Sequence, residues 1–476
     1  MLDRKSLGRE WMMSQTATGG IQRRALALVA VASLVAGPAA LAAVSQAGAS
    51  VTPTRTLASS SPATNGEWPG VGKICESGTG GASSVRGVGS NTIHIAVPND
   101  ASNTVVPGLE KEFVQFANAF AAWCNASGGI HGRHIVIDNR DAALFNAAQV
   151  TSESCQTDFM SVGGGMALDQ PSVPVREACG LGQITGYTVS DASGAATLQV
   201  NPSGINAKEV TGGWFESLAK KYPQAVKDAA FGAENNPSVM EPELKYEDAA
   251  KAMGWDIKTF QTVPLTVTDW APYVQQMATG GYQAIWPSDS GNMAPYFQSM
   301  ATDNYNPAFV ILGVQFYEKS TIQGMAGLHL PPVYVETSWW PLEMASQSPS
   351  TEQLLQVMHT YAKGDTVDFD DEEAAEAWLL WAKEASACGS NLTVSCVLNG
   401  AAATKNWSAG GIEAPVAQLS LSNVNPQPSP CFALLQAKPS GFTYQKAITQ
   451  PTQSIWNCNP KNVLTLTPQQ VAALGG

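Results

Sequence analysis

The sequence is poor in the groups that do chemistry. It has five histidines in 476 residues, and only 14% of the chain is charged. It contains no C-x-x-C pair, so zinc ribbons and dithiol redox chemistry have no support. It lacks H-E-x-x-H, G-x-S-x-G, a Walker A loop and a calcium-loop pattern. No nucleophile–base pair is visible, which argues against an enzyme and against a bound cofactor. Basic residues are also scarce, 26 against 39 acidic, for a net charge of -13. Phosphate-tracking needs clustered Lys and Arg, so nucleic acid is excluded as a partner. "SSVRGVGSN" has Gly87 and Gly89 but lacks the third glycine of a dinucleotide loop.

The histidines include one suggestive pair, His131 and His134 in "GGIHGRHIVIDNRD". On a helix they would share a face and could aim at a metal. Gly129 and Gly132 make a helix unfavourable here, and His134 opens a strand pattern, so the expectation is a turn and no metal. "DFDDEEAAEAWLL" invites a calcium reading, but Asp370, Asp371, Glu372 and Glu373 suit a helix start, where carboxylates meet the positive end of the dipole.

Eight cysteines are present. Residues 23–42, "RRALALVAVASLVAGPAALA", pair two arginines with an apolar run, a Gly-Pro break and an A-L-A end, the pattern of a secretory signal cleaved after Ala42. An uncleaved anchor is the competing reading, and Met12 or Met13 is a candidate start. No cysteine follows the run before Cys75, so an exported protein not anchored through a signal-site lipid is expected. Export makes disulfides the natural role for the cysteines. Roughly 105 pairings are possible. Local spacing favours Cys155–Cys179, Cys388–Cys396 and Cys431–Cys458, leaving Cys75–Cys124.

Residues 43–89 are rich in Ser, Gly and Pro and read as a linker, with Trp68 and Cys75 hinting that its end is pinned. From Thr92 strands and helices alternate at about 20–25 residues per pair, the signature of βαβ units and parallel sheets. "TIHIAVP", "HIVID", "DFMSVGGG" and "GLGQITG" are strands. Between them lie helices in "VPGLEKEFVQFANAFAAWCNASGG", stopped by Gly128-Gly129, in "AALFNAAQVTSESC" and in "DQPSVPVREAC". The pattern restarts with a helix in "KEVTGGWFESLAKKY" and continues through "AFVILG". The expected fold is α/β, two doubly wound Rossmann-like lobes with a hinge and an interlobe cleft. The boundaries are lobe 1 from 90–205, the main part of lobe 2 from 206–326, remaining parts of both lobes with crossovers from 327–445, and a C-terminal tail from 446–476.

In such sheets ligands sit beyond the carboxyl ends of the strands. Those ends nominate Asn99 and Asp100, the Gly163–Gly165 loop, Tyr187 and Thr188, then Ser288, Asp289 and Ser290, and Gln315 and Phe316. The glycine loop precedes a helix starting near Asp169, whose free N–H groups suit an anion. Trp270, Trp286, Trp339 and Trp340 are candidates for aromatic surface.

"GGIHGRHIVIDNRD" resembles the G-G-I-N-G-R-x-I stretch of the leucine/isoleucine/valine-type substrate-binding proteins of ABC transporters, with His131 where Asn is usual. "TDWAPYVQQMATGGYQAIWPSDSG" and "NWSAGGIEAPVAQL" resemble two later segments, so the likeness runs from about Thr92 to Phe442. It implies a type I periplasmic-binding fold that closes on a small-molecule ligand and delivers it to ABC permease subunits, as a monomer. Cys155 and Cys179 fall where leucine-binding members carry a disulfide. Met166, Ala167 and Leu168, after Gly165, match the first ligand loop, where hydroxyls and backbone N–H groups hold a carboxylate. Here the hydroxyls are missing and only the backbone part carries over. Tyr187 and Thr188 match the second loop, and Asp289 falls near an aromatic contact of the second lobe. Gln315 stands where leucine-binding members place a glutamate for the ammonium group. A neutral Gln cannot balance a buried ammonium. The implied ligand is therefore amino-acid-like, an amide, or an apolar or aromatic carboxylate, not a plain branched-chain amino acid. A sensing module for a separate signalling partner is the alternative.

Overall fold

A computed structural model describes residues 65–204, 208–287, 291–421 and 428–474. The signal segment, the linker up to residue 64 and Ser288, Asp289 and Ser290 lie outside the described residues.

Lobe 1 is built on five parallel strands in the order His134–Asp141, Thr92–Asn99, Met160–Val162, Gly182–Ile184, Gln199–Val200. The first strand in sequence therefore lies inside the sheet, and the strand order reverses between Thr92–Asn99 and Met160–Val162. That reversal opens a crevice at the carboxyl ends of both strands. Lobe 2 repeats the pattern. Ile257–Val263, Ala229–Glu234, Ala284–Trp286, Phe309–Leu312 and Val333–Thr337 run parallel. Cys431–Lys438 and Gly441–Tyr444 then add to that sheet antiparallel.

The central strands are buried on both faces, which is why Phe309–Leu312 reads as the unbroken run FVIL. The Lys111–Ala126 helix turns Phe113, Phe116, Ala117, Phe120 and Trp123 inward, each with no exposed surface. At ~25 cal/mol per Å² this stripe is a leading apolar contribution to lobe 1. Gly128 and Gly129 end the helix with φ of 111° and 76°. A Cβ on Gly129 would meet the Arg133 carbonyl at 2.2 Å.

The chain leaves lobe 2 after Thr337 and returns to lobe 1. Pro349–Tyr361, Phe369–Cys388 and Val394–Ala403 pack there as helices before the chain goes back to Cys431–Lys438. Disulfides join Cys75 to Cys124, Cys155 to Cys179, Cys388 to Cys396 and Cys431 to Cys458. The described end of the linker is packed, with Trp68 1% exposed and its indole N–H donating to Ser350 Oγ at 2.7 Å.

Three expectations need correction. The helix expected over residues 208–222 begins only at Gly213. Glu209–Thr211 is a strand instead, because β-branched Val210 and Thr211 find a partner in Val463–Thr465. That pairing also means the segment read as a tail is folded onto lobe 2. The helix expected from Ala142 starts at Ala147, since Ala143 and Leu144 sit at φ 48° and 71° in a turn.

Candidate functional site

The carboxyl ends of Thr92–Asn99 and Met160–Val162 bring Asn99, Asp100 and the 163–168 loop together. Asn99 and Asp100 have no exposed surface. The Asn99 amide donates to the Asn139 side chain at 2.6 Å and the Val97 carbonyl at 3.1 Å. Asp100 accepts the Leu144 N–H at 2.6 Å on one oxygen and the Ala167 N–H at 2.8 Å on the other. Both residues thus hold loops in place.

The Asp100 contact bears on the first loop. The Ala167 N–H, expected to receive a ligand carboxylate, is already engaged by the protein's own carboxylate. The Gly163 and Gly165 N–H groups donate to the Ile184 and Pro98 carbonyls. The following helix starts at Ser172, not near Asp169, and Asp169 caps the Val189 and Ser190 N–H groups. Met166 and Leu168 are buried at 5% and 8% exposure.

The glycines of this loop are required by neighbours. Gly163 has φ 61°, and a Cβ there would lie 2.4 Å from Trp378. A Cβ on Gly165 would lie 2.3 Å from the Tyr187 ring. Tyr187 is half-buried against Phe113, ring centres 5.5 Å apart, and its hydroxyl donates to Glu110. Thr188 accepts from the Asn201 amide at 3.3 Å.

In lobe 2, Gln315 is exposed, whereas Phe316 is 3% exposed and part of the core. The four candidate tryptophans are core residues, each at most 8% exposed. The indoles of Trp286, Trp339 and Trp340 donate to Glu243, to Glu376 and to the Met344 carbonyl. His131, at φ 49°, forms the expected turn and contacts the Ser386 carbonyl through Nε2 at 2.8 Å. His134 is exposed at the start of its strand.

What the strand ends did not reveal is a wall of carboxyl groups where the lobes meet. Glu110 precedes the Lys111–Ala126 helix and is 4% exposed. Asp370 and Glu373 start the Phe369–Cys388 helix, with an Asp368–Asp371 capping box, so the expected helix start is present. Glu336 lies on the last parallel strand of lobe 2. Burial raises all four carboxyls, Glu336 up to about 8. Beyond burial, Asp100, Asp370 and Glu373 push Glu110 upward, while the Tyr187 hydroxyl opposes the shift. Glu376 and Glu336 do the same to Glu373. Glu112, Asp368 and Asp370 bring one oxygen each within 4.8 Å of one another, all on the lobe 1 side.

Lobe 2 reaches lobe 1 through the Pro237–Ala252 helix. Lys245 pairs with Asp191, and Glu241 accepts the Asp191 N–H at 2.7 Å.

Two lobes, each with a switch point in its sheet, are joined by segments of the chain that cross between them. The family model of the periplasmic binding proteins matches residues 92–442, and the chain belongs to that family. Its members bind solutes and do not transform them. The fold is the type I periplasmic-binding fold. The chain is similar to a fatty acid ABC transporter substrate-binding protein from Thermomonospora curvata, at 14% identity and TM-score 0.63, covering 81% of this chain and 97% of that one. It is similar to a solute-binding protein from R. palustris in complex with benzoate, at 12% identity and TM-score 0.60, covering 74% and 95%. A branched-chain amino acid binding protein from Streptococcus pneumoniae in complex with isoleucine matches at 14% identity and TM-score 0.58, covering 75% and 100%. No curated protein sequence matches the chain.

Proposed function

We propose that this chain is the extracytoplasmic solute receptor of an ABC importer. It takes up a small organic molecule between its lobes and presents the closed form to permease subunits. The observation that carries this reading is the pair of matching sheets, each with a reversal of strand order inside it, with the chain passing back and forth between lobes. Ligand bridging both walls favours the closed arrangement by population shift. The four disulfides suit an exported protein.

The solved relatives carry fatty-acid, benzoate and isoleucine labels, which supports a small organic ligand here. Of the expected ligand classes, an amide or another neutral or amine-bearing compound fits the wall better than a free carboxylate. Asp100 already occupies the Ala167 donor, and like charges gather beside it. A thermal-shift screen followed by X-ray scattering tests the reading. A ligand that both raises Tm and compacts the particle is expected; saturating ligands that leave the scattering curve unchanged overturn it.

A further inference from the structure

The carboxyl wall sets acidic groups against one another, so any charge it carries is negative. Glu110 is the sharpest case. One of its oxygens takes the Tyr187 hydroxyl; the other, Oε2, is buried and receives no N–H or hydroxyl donor, the Asp100 carboxyl being the group that Glu110 meets besides. A buried carboxylate oxygen without a donor is destabilising by roughly 1–3 kcal/mol or more. The charged groups facing Glu110 are Asp100, from the strand end below it, and Asp370 and Glu373, from the neighbouring helix, with the Tyr187 phenol beside them. Glu336 faces Glu373 from lobe 2, and Tyr246 of the Pro237–Ala252 helix faces both. Lys111 is turned to Glu112 and Lys245 to Asp191.

Resting on the receptor reading above, we infer that the ligand is a small organic cation bearing N–H donors, an amine or amidine without a carboxylate, received by Glu110 with Asp370, Glu373 and Glu336 around it. An N–H donor satisfies the Glu110 oxygen that lacks one, and its positive charge stabilises the ionised form of the carboxyls around it. The phenol faces of Tyr187 and Tyr246, both half-buried, suit the apolar body of an organic cation. A bare divalent ion would ask for six or more oxygens in one shell, and part of this wall is aromatic instead. The Asp100 contact supports the same class independently, because it removes a donor that a carboxylate ligand would need.

The test is calorimetry on the oxidised chain with putrescine and benzamidine as cation probes, and benzoate, leucine, acetamide and calcium chloride as competitors for the assignment. Saturable binding of an amine or amidine is expected, with proton release read from the dependence of the heat on buffer. Release follows because burial raises these carboxyls and cation binding favours their ionised form. Glu110→Gln should weaken cation binding by about tenfold to a hundredfold, while leaving the ligand-free Tm unchanged or higher. A purely structural Glu110 would instead lower that Tm. Glu153→Gln, at an exposed position, should change neither. Binding of benzoate, leucine or acetamide with compaction, and no cation binding, overturns the cation class and leaves the receptor reading standing. Binding of calcium alone overturns it in favour of a metal site. No binding by any probe, with no compaction, overturns both.

Discussion

Lys245 of lobe 2 forms an ion pair with Asp191 of lobe 1, with 9% and 21% of their side chains exposed. The pair is placed by the Pro237–Ala252 helix on one side and the short Asp191–Gly194 helix on the other. Little of either lobe's own core depends on it, so on the proposed receptor reading its effect is expected on the approach of the lobes to each other. Partial burial makes it stronger than a surface pair.

Lys245→Met keeps the stem and removes the charge. It should loosen closure by about 1–2 kcal/mol, a charge-assisted hydrogen bond's worth. The radius of gyration without ligand should rise, and ligand affinity should fall by about tenfold. Tm should change little, since the lobes themselves stay intact. Asp191→Asn should act in the same direction, and the double variant should fall short of the sum. A large loss of Tm in either single variant would contradict an interlobe role.

Glu336 makes stability depend on pH in the alkaline direction. Its folded pKa is raised by burial from 4.5 to about 8, partly opposed by the Val314 N–H. Between those values the native state holds a proton that the unfolded chain has released. This contribution is therefore fully present below about 4.5 and is lost as pH rises through about 8. Glu413, also pushed up to about 8 by burial, acts in the same window. Glu336→Gln cannot ionise and keeps an acceptor for Val314. Its Tm should gain on the native protein as pH rises from about 5 to about 9. Parallel curves across that range would show that Glu336 is not buried as described.

Asp100 ties two loops to the end of the Thr92–Asn99 strand through the Leu144 and Ala167 N–H groups. Asp100→Ala removes both acceptors from a fully buried position. A destabilisation of about 2–4 kcal/mol is expected in urea unfolding. Asp100→Asn retains one acceptor oxygen and should recover part of that loss. Equal losses in both would mean the two bonds do not act separately.

The alternation of strands and helices was legible because parallel strands buried on both faces carry unmistakable runs such as FVIL, and because each lobe repeats the unit. Glu209–Thr211 was not legible as a strand, since its partner lies near the other end of the chain. The Pro349–Tyr361 helix has a weak apolar signature because its inward face includes Ser350, Thr351 and Gln353 among the apolar residues. The site was harder. The strand ends bring Asn99, Asp100 and the glycine loop together as read, but most of those side chains bond to the protein itself. Glu110 gave no signal, because only the packing of two helices distant in sequence sets it against Asp370 and Glu373. Those two read correctly as a helix start; their second surroundings are tertiary.

Gly163 separates two causes of glycine dependence when compared with Gly180. Both have positive φ, 61° and 68°. A Cβ on Gly180 meets nothing within 4 Å, while one on Gly163 would strike the fully buried Trp378 at 2.4 Å. Gly180→Ala should therefore lose only backbone freedom, about 1 kcal/mol. Gly163→Ala adds overpacking of about 1–3 kcal/mol against an indole with no room to move. Trp378 also packs against Phe120, ring centres 5.4 Å apart, so its displacement would be felt along the Lys111–Ala126 helix and at Glu110. Urea unfolding should rank the two variants in that order, and ligand affinity should fall only for Gly163→Ala. An equal effect of the two substitutions would mean that Trp378 yields freely and that the loop is not braced by it.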